Sequence, residues 1–500
     1  MSPFYAESAE LFNRDAPFPI QLSHPMVGWL QELSAAGLAL RWIEFYDFLK
    51  GRVAVAELMR AITGTPCSGV KGDSTCSLGA QVIEPSIEST ESYISMCMGL
   101  MHSRGVEVVM MLIDMERPKW YWTLYSLFHA SATHSIRSLT TWNMGFAADD
   151  FRDLVKAPQP LQVIYPRDQL PSAPKTGSFV VLNTDAQIYF DQNRRNEDEY
   201  VTTSAATTPF RVIGADGDMI SILVPCYGEC WVQISDIVST HPDPFESDPE
   251  KQWNLTSHGI THFEFKYNDE CATFENLGLL KFIGQPVTSI VIEKPGDIEG
   301  EVFDLDSLLL FCPNLTELSI KGLQLASLDV FVQAYESGIC RLVSLDILGC
   351  DVLDQDSVAS FTRALGDPST AISRTLNHLR ASLVDEDRVP DDEVAQMFLS
   401  ALQTNKRLSF FELQVNDDVR ETYKDEVEGL NGSCLNFVSY PLPIRSKCAF
   451  LSVVQHAQTQ AKDGPLARMD TFVLSRIIDL TAEPQQRSVV LSWRTHMFEE

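Results

Sequence analysis

In the second half of the chain, apolar residues recur in a fixed figure: one position, a second three residues on, and a third two residues after that. The figure reads Ile260-x-x-Phe263-x-Phe265, Val287-x-x-Ile290-x-Ile292, Leu315-x-x-Leu318-x-Ile320, Leu342-x-x-Leu345-x-Ile347, Leu376-x-x-Leu379-x-Ala381 and Leu408-x-x-Phe411-x-Leu413. Its first residues lie 27, 28, 27, 34 and 32 positions apart. Alternation within the figure is that of a strand with one buried face. The spacing leaves room for a turn, a helix and a return before the next strand, so successive strands are expected to pair as a parallel ladder. Helical patterns fill the gaps at 305–311, 326–337, 356–365 and 391–403, with Asp356 and either Asp391 or Asp392 as N-caps. The longer gaps fit loop insertions at 367–375 and 385–390. Asn268, Cys350 and Asn416 stand at the turn after a strand, where a side chain can bond freed backbone groups.

Earlier in the chain the figure is fainter. Val108-x-x-Met111-x-Ile113 and Ile136-x-x-Leu139-x-Thr141 stand 28 residues apart, with helical patterns at 121–130 and 148–155 and Asp149 as the cap of the second. The array is therefore expected to begin near residue 106. Before it, residues 1 to about 60 read as helical, 63–80 as a loop and 90–102 as a further helix. Five prolines between 158 and 174 mark a linker, and short alternating runs follow at 178–182, 187–190, 210–213, 219–224 and 230–234. Their spacing is that of a small β barrel or sandwich, and the ending from Gly228 to Ile237 resembles the closing strands of SH3-like barrels. The charged stretch 191–199 reads as a solvated hairpin tip. Beyond 435, patterns at 448–458, 469–480 and 486–494 predict a helical cap. The expected organisation is α/β: a helical region at 1–105, two repeat-like units at 106–156, a small β-rich domain at 157–250, the main array at 251–435 and helical end regions at 436–500.

Charge narrows the partners. The formal net charge is -30 and the pI about 4.6. Such a surface repels nucleic-acid phosphates and anionic lipid, and no basic cluster offsets it, so neither a nucleic acid nor a membrane is an expected partner. A basic protein partner suits it. The eleven cysteines are loosely spaced, and Cys226-x-x-x-Cys230 has no second pair or nearby histidine to complete a zinc site. Reduced, mostly buried thiols are expected. No apolar signal segment or membrane-length run occurs, so the sequence points to a cytoplasmic or nuclear protein, neither secreted nor transmembrane. Nucleophile-elbow, zinc-protease, phosphate-loop, dinucleotide-binding and EF-hand motifs are absent from the sequence.

Leu342 through Val352 fits the leucine-rich repeat template L-x-x-L-x-L-x-x-(N/C)-x-L, with Ile347 and Val352 in place of leucine. The array resembles leucine-rich repeat proteins of the ribonuclease-inhibitor and cysteine-containing types. Residues 309–318 resemble the helix-to-strand junction of F-box leucine-rich proteins. That resemblance implies a horseshoe with strands inside and helices outside, no cofactor, no metal, no enzyme activity, and a non-enzymatic scaffold that binds a protein on its concave strand face. The residues so presented include His262, Glu264, Ser289, Glu317, Ser319, Ser344, Asp346, His378, Arg380, Phe410 and Glu412. An alternative is a ubiquitin-ligase substrate receptor that contacts a cullin adaptor. Val473-Leu474-x-x-Ile477-Ile478-x-Leu480 and Val489-Val490-x-x-Trp493-Arg494 have an F-box rhythm, although they follow the repeats. An enzyme of unrecognised type is the remaining class.

Overall fold

The computed structural model describes residues 40–45, 55–56, 59, 80–85, 87, 89–104, 106–111, 117–142, 148–166, 173–192, 200–203, 208–245, 248–267, 275–294, 302–383, 391–439, 450–456, 474 and 484–493. The chain divides into two compact units, Met1–Ile292 and Glu293–Glu500. The boundary falls inside the stretch expected to form a single array at 251–435.

In the first unit the parallel strands are β1 (Leu40–Phe45), β2 (Ala80–Pro85), β3 (Val108–Met111) and β4 (Ser138–Trp142). Before the remaining two, an insertion supplies β5 (Phe179–Leu182), β6 (Gln187–Tyr189), β7 (Tyr200–Thr202), β8 (Pro209–Asp216), β9 (Met219–Val224), β10 (Gly228–Gln233) and β11 (Ile237–His241). Then come β12 (His262–Lys266) and β13 (Ser289–Glu293). The ladder runs β1-β2-β3-β4-β12-β13, with the pairs from β1 to β12 all parallel.

Three expectations change here. The stretch from 40 to 45 is a strand and not part of a helix, so the parallel ladder begins well before residue 106; within the rest of 42–59, Val55, Ala56 and Met59 are helical. β3 is shifted by two residues from its expected phase. Val109 is the partner of Leu139, and the buried anchors are Val106 and Val109, matching Ile136 and Leu139. Every position from Val108 to Ile113 is apolar, so the pattern alone could not fix the phase. The insertion is a seven-stranded antiparallel sheet in the open order β11-β5-β8-β9-β10-β6-β7, and not a closed SH3-like barrel. Its core gathers Val180, Leu182, Ile188, Phe210, Val212, Ile220, Ile222 and Val232. Helix Thr90–Leu100 braces it, since Ser95 Oγ donates to the Tyr227 carbonyl at 2.8 Å.

The second unit holds β14 (Glu317–Lys321), the short β15 (Gln324–Leu325), β16 (Ser344–Val352), β17 (His378–Leu383), β18 (Phe410–Val415), β19 (Cys434–Ser439), β20 (Pro484–Gln486) and β21 (Ser488–Trp493). Its parallel order is β14-β16-β17-β18-β21, with β15 beside the second half of β16. Helices occupy Leu305–Phe311, Asp329–Glu336, Asp356–Gly366 and Asp391–Thr404, close to the expected spans. The caps shift by one residue: Asp356 and Asp391 open their helices from inside, and Asp149 likewise lies within Ala148–Lys156.

The expected helical end at 436–500 is corrected. Helix appears at 450–456, but Ser488–Trp493 is a strand parallel to β18, so the ladder gains one more member. Val489, Val490 and Trp493 of the F-box-like rhythm therefore belong to a sheet. Of 469–480, only residue 474 is described.

All eighteen positions of the six apolar figures are at most 2 % exposed. Burying each large aliphatic or aromatic among them contributes about 1.5–3 kcal/mol, which is why the figure is so regular. Cys350, also buried, lies close to the carbonyls of Ile320 and Leu348 at 3.6 and 3.5 Å, the role expected at the turn. Asn416 instead caps the next helix by accepting from the Val419 amide. Asn268 lies outside the described residues.

Candidate functional site

Parallel pairing without slippage stacks equivalent residues from strand to strand. On the outward face of the second unit this gives two rows. The first runs Glu317, Ser344, His378, Phe410 and Ser488, each the Cα partner of the next. The second runs Ser319, Asp346, Arg380, Glu412 and Val490. All nine candidates from Glu317 onward except none fall in these rows, while the intervening leucines and isoleucines point into the core.

The second row is an alternation of charge. Arg380 Nε donates to Glu412 Oε2 at 2.9 Å, and its Nη1 stands 3.8 Å from Asp346 Oδ2. Ser492 Oγ donates to the other Glu412 oxygen at 2.7 Å. Glu412 is thus held on both oxygens. Asp346 is not: its Oδ1 is buried and has no hydrogen-bond partner, the His378 Nε2 lying 3.6 Å away. Burial pushes the Asp346 carboxyl up, against the opposing pull of His378, Arg380 and Lys321. Burial also pulls the His378 imidazole below its ordinary range, with Asp346 acting the other way. His378 stacks on Phe410 with ring centroids 4.3 Å apart and planes 9° from parallel. A further ion pair, Lys321 with Glu293 at 3.7 Å, flanks the rows. Four carboxylates (Glu293, Glu317, Asp346 and Glu412) thereby face two cations (Lys321 and Arg380), and the face carries an acidic excess.

Ser344, His378 and Asp346 are the residue types of a nucleophilic triad, but their placement differs. A triad needs the base hydrogen-bonded to the nucleophile and oriented by the acid. Here the imidazole is stacked flat on Phe410, its Nε2 faces Asp346, and it forms no hydrogen bond with Ser344. Among the described residues no group of three or more His, Cys, Asp or Glu is arranged to hold a metal ion. The described cysteines 97, 226, 230, 312, 340 and 350 are free and buried, and burial pushes the Cys97, Cys312 and Cys350 thiols up to about 12. Such thiols are poor nucleophiles and poor metal ligands.

In the first unit, His262, Glu264 and Ser289 stand on the outward face of β12 and β13 and are engaged within it. His262 Nδ1 and Ser289 Oγ are 2.8 Å apart. Glu264 accepts from Thr140 Oγ at 2.9 Å and pairs with Lys266 at 3.2 Å. Lys266 also lies 5.1 Å over the Trp142 ring.

Sequence reasoning missed two buried cations. Arg211, the lone charge in the apolar run Phe210-Arg-Val-Ile213, pairs with Asp243 at 3.2 Å, both side chains being almost wholly buried, and lies 4.6 Å over the Phe179 ring. Arg211 also holds down the nearby His129 imidazole, which burial already pulls well below its ordinary range. A cavity of about 270 Å³ lined by Gln159, Thr176, Ser178 and Asp243 adjoins this pair. In the second unit, Arg487 is buried and donates to the carbonyls of Leu402, Asn405 and Leu408. A single arginine within an otherwise apolar strand is the only sequence signal either could have given.

No protein-family model matches this chain, and no curated protein does. A solved crystal structure of a Bacteroides fragilis protein, a structural-genomics target, aligns with 50% of this chain and 93% of its own at 12% identity. Its TM-score is 0.20, and it carries no argument about fold or function.

Proposed function

We propose that this chain is a non-enzymatic interaction scaffold of the leucine-rich repeat kind, and that the outward strand face of its second unit binds a basic protein segment. The observation that carries this is Asp346. Its Oδ1 is desolvated yet accepts no hydrogen bond, on a face where carboxylates outnumber cations. A buried acceptor without a partner costs about 1–3 kcal/mol. A donor from a partner would recover that cost, and a cationic donor would recover most. The rigid parallel ladder beneath holds the row in place without further ordering, which favours affinity.

The test is selection from a display library of short random peptides against the full chain. Lysine and arginine should be enriched among the binders, and the charge-reversed variant Asp346→Lys should lose them while keeping its thermal midpoint. Binders with no basic bias, or binders that hold equally well to the variant, would remove the basis for this function.

A further inference from the structure

The two rows do not merely present negative charge; they enclose a slot. Glu317, Ser344 and His378 are successive Cα partners on β14, β16 and β17. Neighbouring strands lie about 4.8 Å apart, so Glu317 and His378 stand about 10 Å apart with only the small Ser344 side chain between them. One face of the His378 ring is covered by Phe410. The ring's other side borders Ser344. One step along the strand, Asp346 brings its unpartnered Oδ1 to within 3.6 Å of the same imidazole. The slot therefore has a flat aromatic wall, an exposed carboxylate opposite, a small floor, and an acceptor oxygen at one end.

We infer that this slot takes an arginine side chain of the partner in preference to a lysine. The inference rests on the strand face being the binding face, as proposed above. A guanidinium is planar and weakly hydrated. It stacks on a ring and donates in the plane of that stack, whereas an ammonium is compact and strongly hydrated. With its plane against His378, a guanidinium reaches Asp346 Oδ1 from one edge and Glu317 from the other. The protein's own Arg380 does not occupy this place, because its Nε is committed to Glu412 at 2.9 Å. The groups that face the bound cation are Glu317, Asp346 and His378, with Arg380 and Lys321 behind them as the opposing charges.

Oligoarginine and oligolysine peptides of equal length, titrated against the full chain at neutral pH, separate charge from shape. The arginine peptide should bind about two- to fivefold tighter, the increment expected of a cation stacked on an exposed ring. Ser344→Phe fills the slot and should abolish that preference while leaving weaker, charge-driven binding of both peptides. Glu317→Gln, at an exposed position where folding is not at stake, should weaken the arginine peptide more than the lysine peptide. Equal affinity of the two peptides for the wild-type chain, or a preference that survives Ser344→Phe, overturns the arginine slot but leaves the basic-partner proposal standing. Binding of neither peptide overturns both.

Discussion

Arg487 offers the sharpest quantitative test of how the second unit is held together. Its guanidinium donates at 2.6 Å to Leu402 O, 2.5 Å to Asn405 O and 3.0 Å to Leu408 O. Leu402 lies in the last turn of helix Asp391–Thr404 and Asn405 follows it directly, so two of these carbonyls belong to the helix end, where backbone acceptors have no partner of their own. The cation also sits at the negative pole of that helix. Burial lowers the arginine's affinity for its proton, but arginine stays charged at neutral pH. Arg487→Met keeps the apolar stem and removes the three donors. At about 1 kcal/mol for each orphaned carbonyl, the lower end of the usual range, the loss comes to about 3 kcal/mol. With two compact units, a global unfolding energy is the wrong readout. Hydrogen exchange of peptides spanning 391–404 and 488–493 is the right one. A loss of about 3 kcal/mol accelerates their slowest amides roughly a hundredfold. Acceleration below about threefold would refute the assignment of Arg487 as the clamp between helix and strand.

Three further outcomes follow from the geometry. His258 donates from Nε2 to Ile283 O at 2.9 Å, and burial pulls its imidazole from 6.5 down to about 4. The unfolded chain therefore binds the proton first, and stability of the first unit is full above about pH 6.5 and falls by roughly 3 kcal/mol as pH drops toward 4; His258→Gln should flatten that limb in a pH series of thermal midpoints. Gly322 has φ +66°, and a Cβ there would run into the Lys294 carbonyl, whereas Gly338 at φ +75° has open space around it. Gly322→Ala should cost at least about 2 kcal/mol and Gly338→Ala only about 1 kcal/mol by denaturant titration, and equal costs would show that the Lys294 contact is slack. Asp243→Leu strands the buried Arg211 and should cost about 3–5 kcal/mol, while joint replacement of both by apolar residues should recover most of it; an additive double mutant would show that the two are not coupled.

The core of the repeats was legible because its chemistry is written locally. Leu342, Leu345 and Ile347 are within six residues of one another, and each neighbouring strand repeats their spacing. β21 was not legible because its first anchor is polar: Gln486 and Arg487 stand where the other strands have leucine or isoleucine, so only Val489 and Leu491 show the alternation. β1 was mistaken for helix because Trp42, Ile43 and Phe45 form an apolar run too short to carry a period. The face residues were identified as candidates from strand parity alone. Their relations were not, because the pairing of Arg380 with Glu412 and the stacking of His378 on Phe410 join residues 32 apart and depend on register. The open seven-stranded order of the insertion depends on pairings between distant strands, such as β5 with β11, which alternation within each strand does not encode.

The insertion between β4 and β12 has a kinetic consequence. Thr140 and Glu264 are bonded across adjacent strands yet are 124 residues apart in sequence. Closing a loop of that length carries an entropic cost that a disordered insertion would add to every attempt. A folded insertion shortens the effective tether, because its β5 and β11 ends are paired antiparallel and so leave side by side. During synthesis the antiparallel sheet is complete before β12 is made. The first unit is thus expected to assemble from the inside out, with the sheet of the insertion folding as an early nucleus and the β4–β12 seam closing last. Refolding from denaturant should accordingly show the insertion's amides protected before those of the seam.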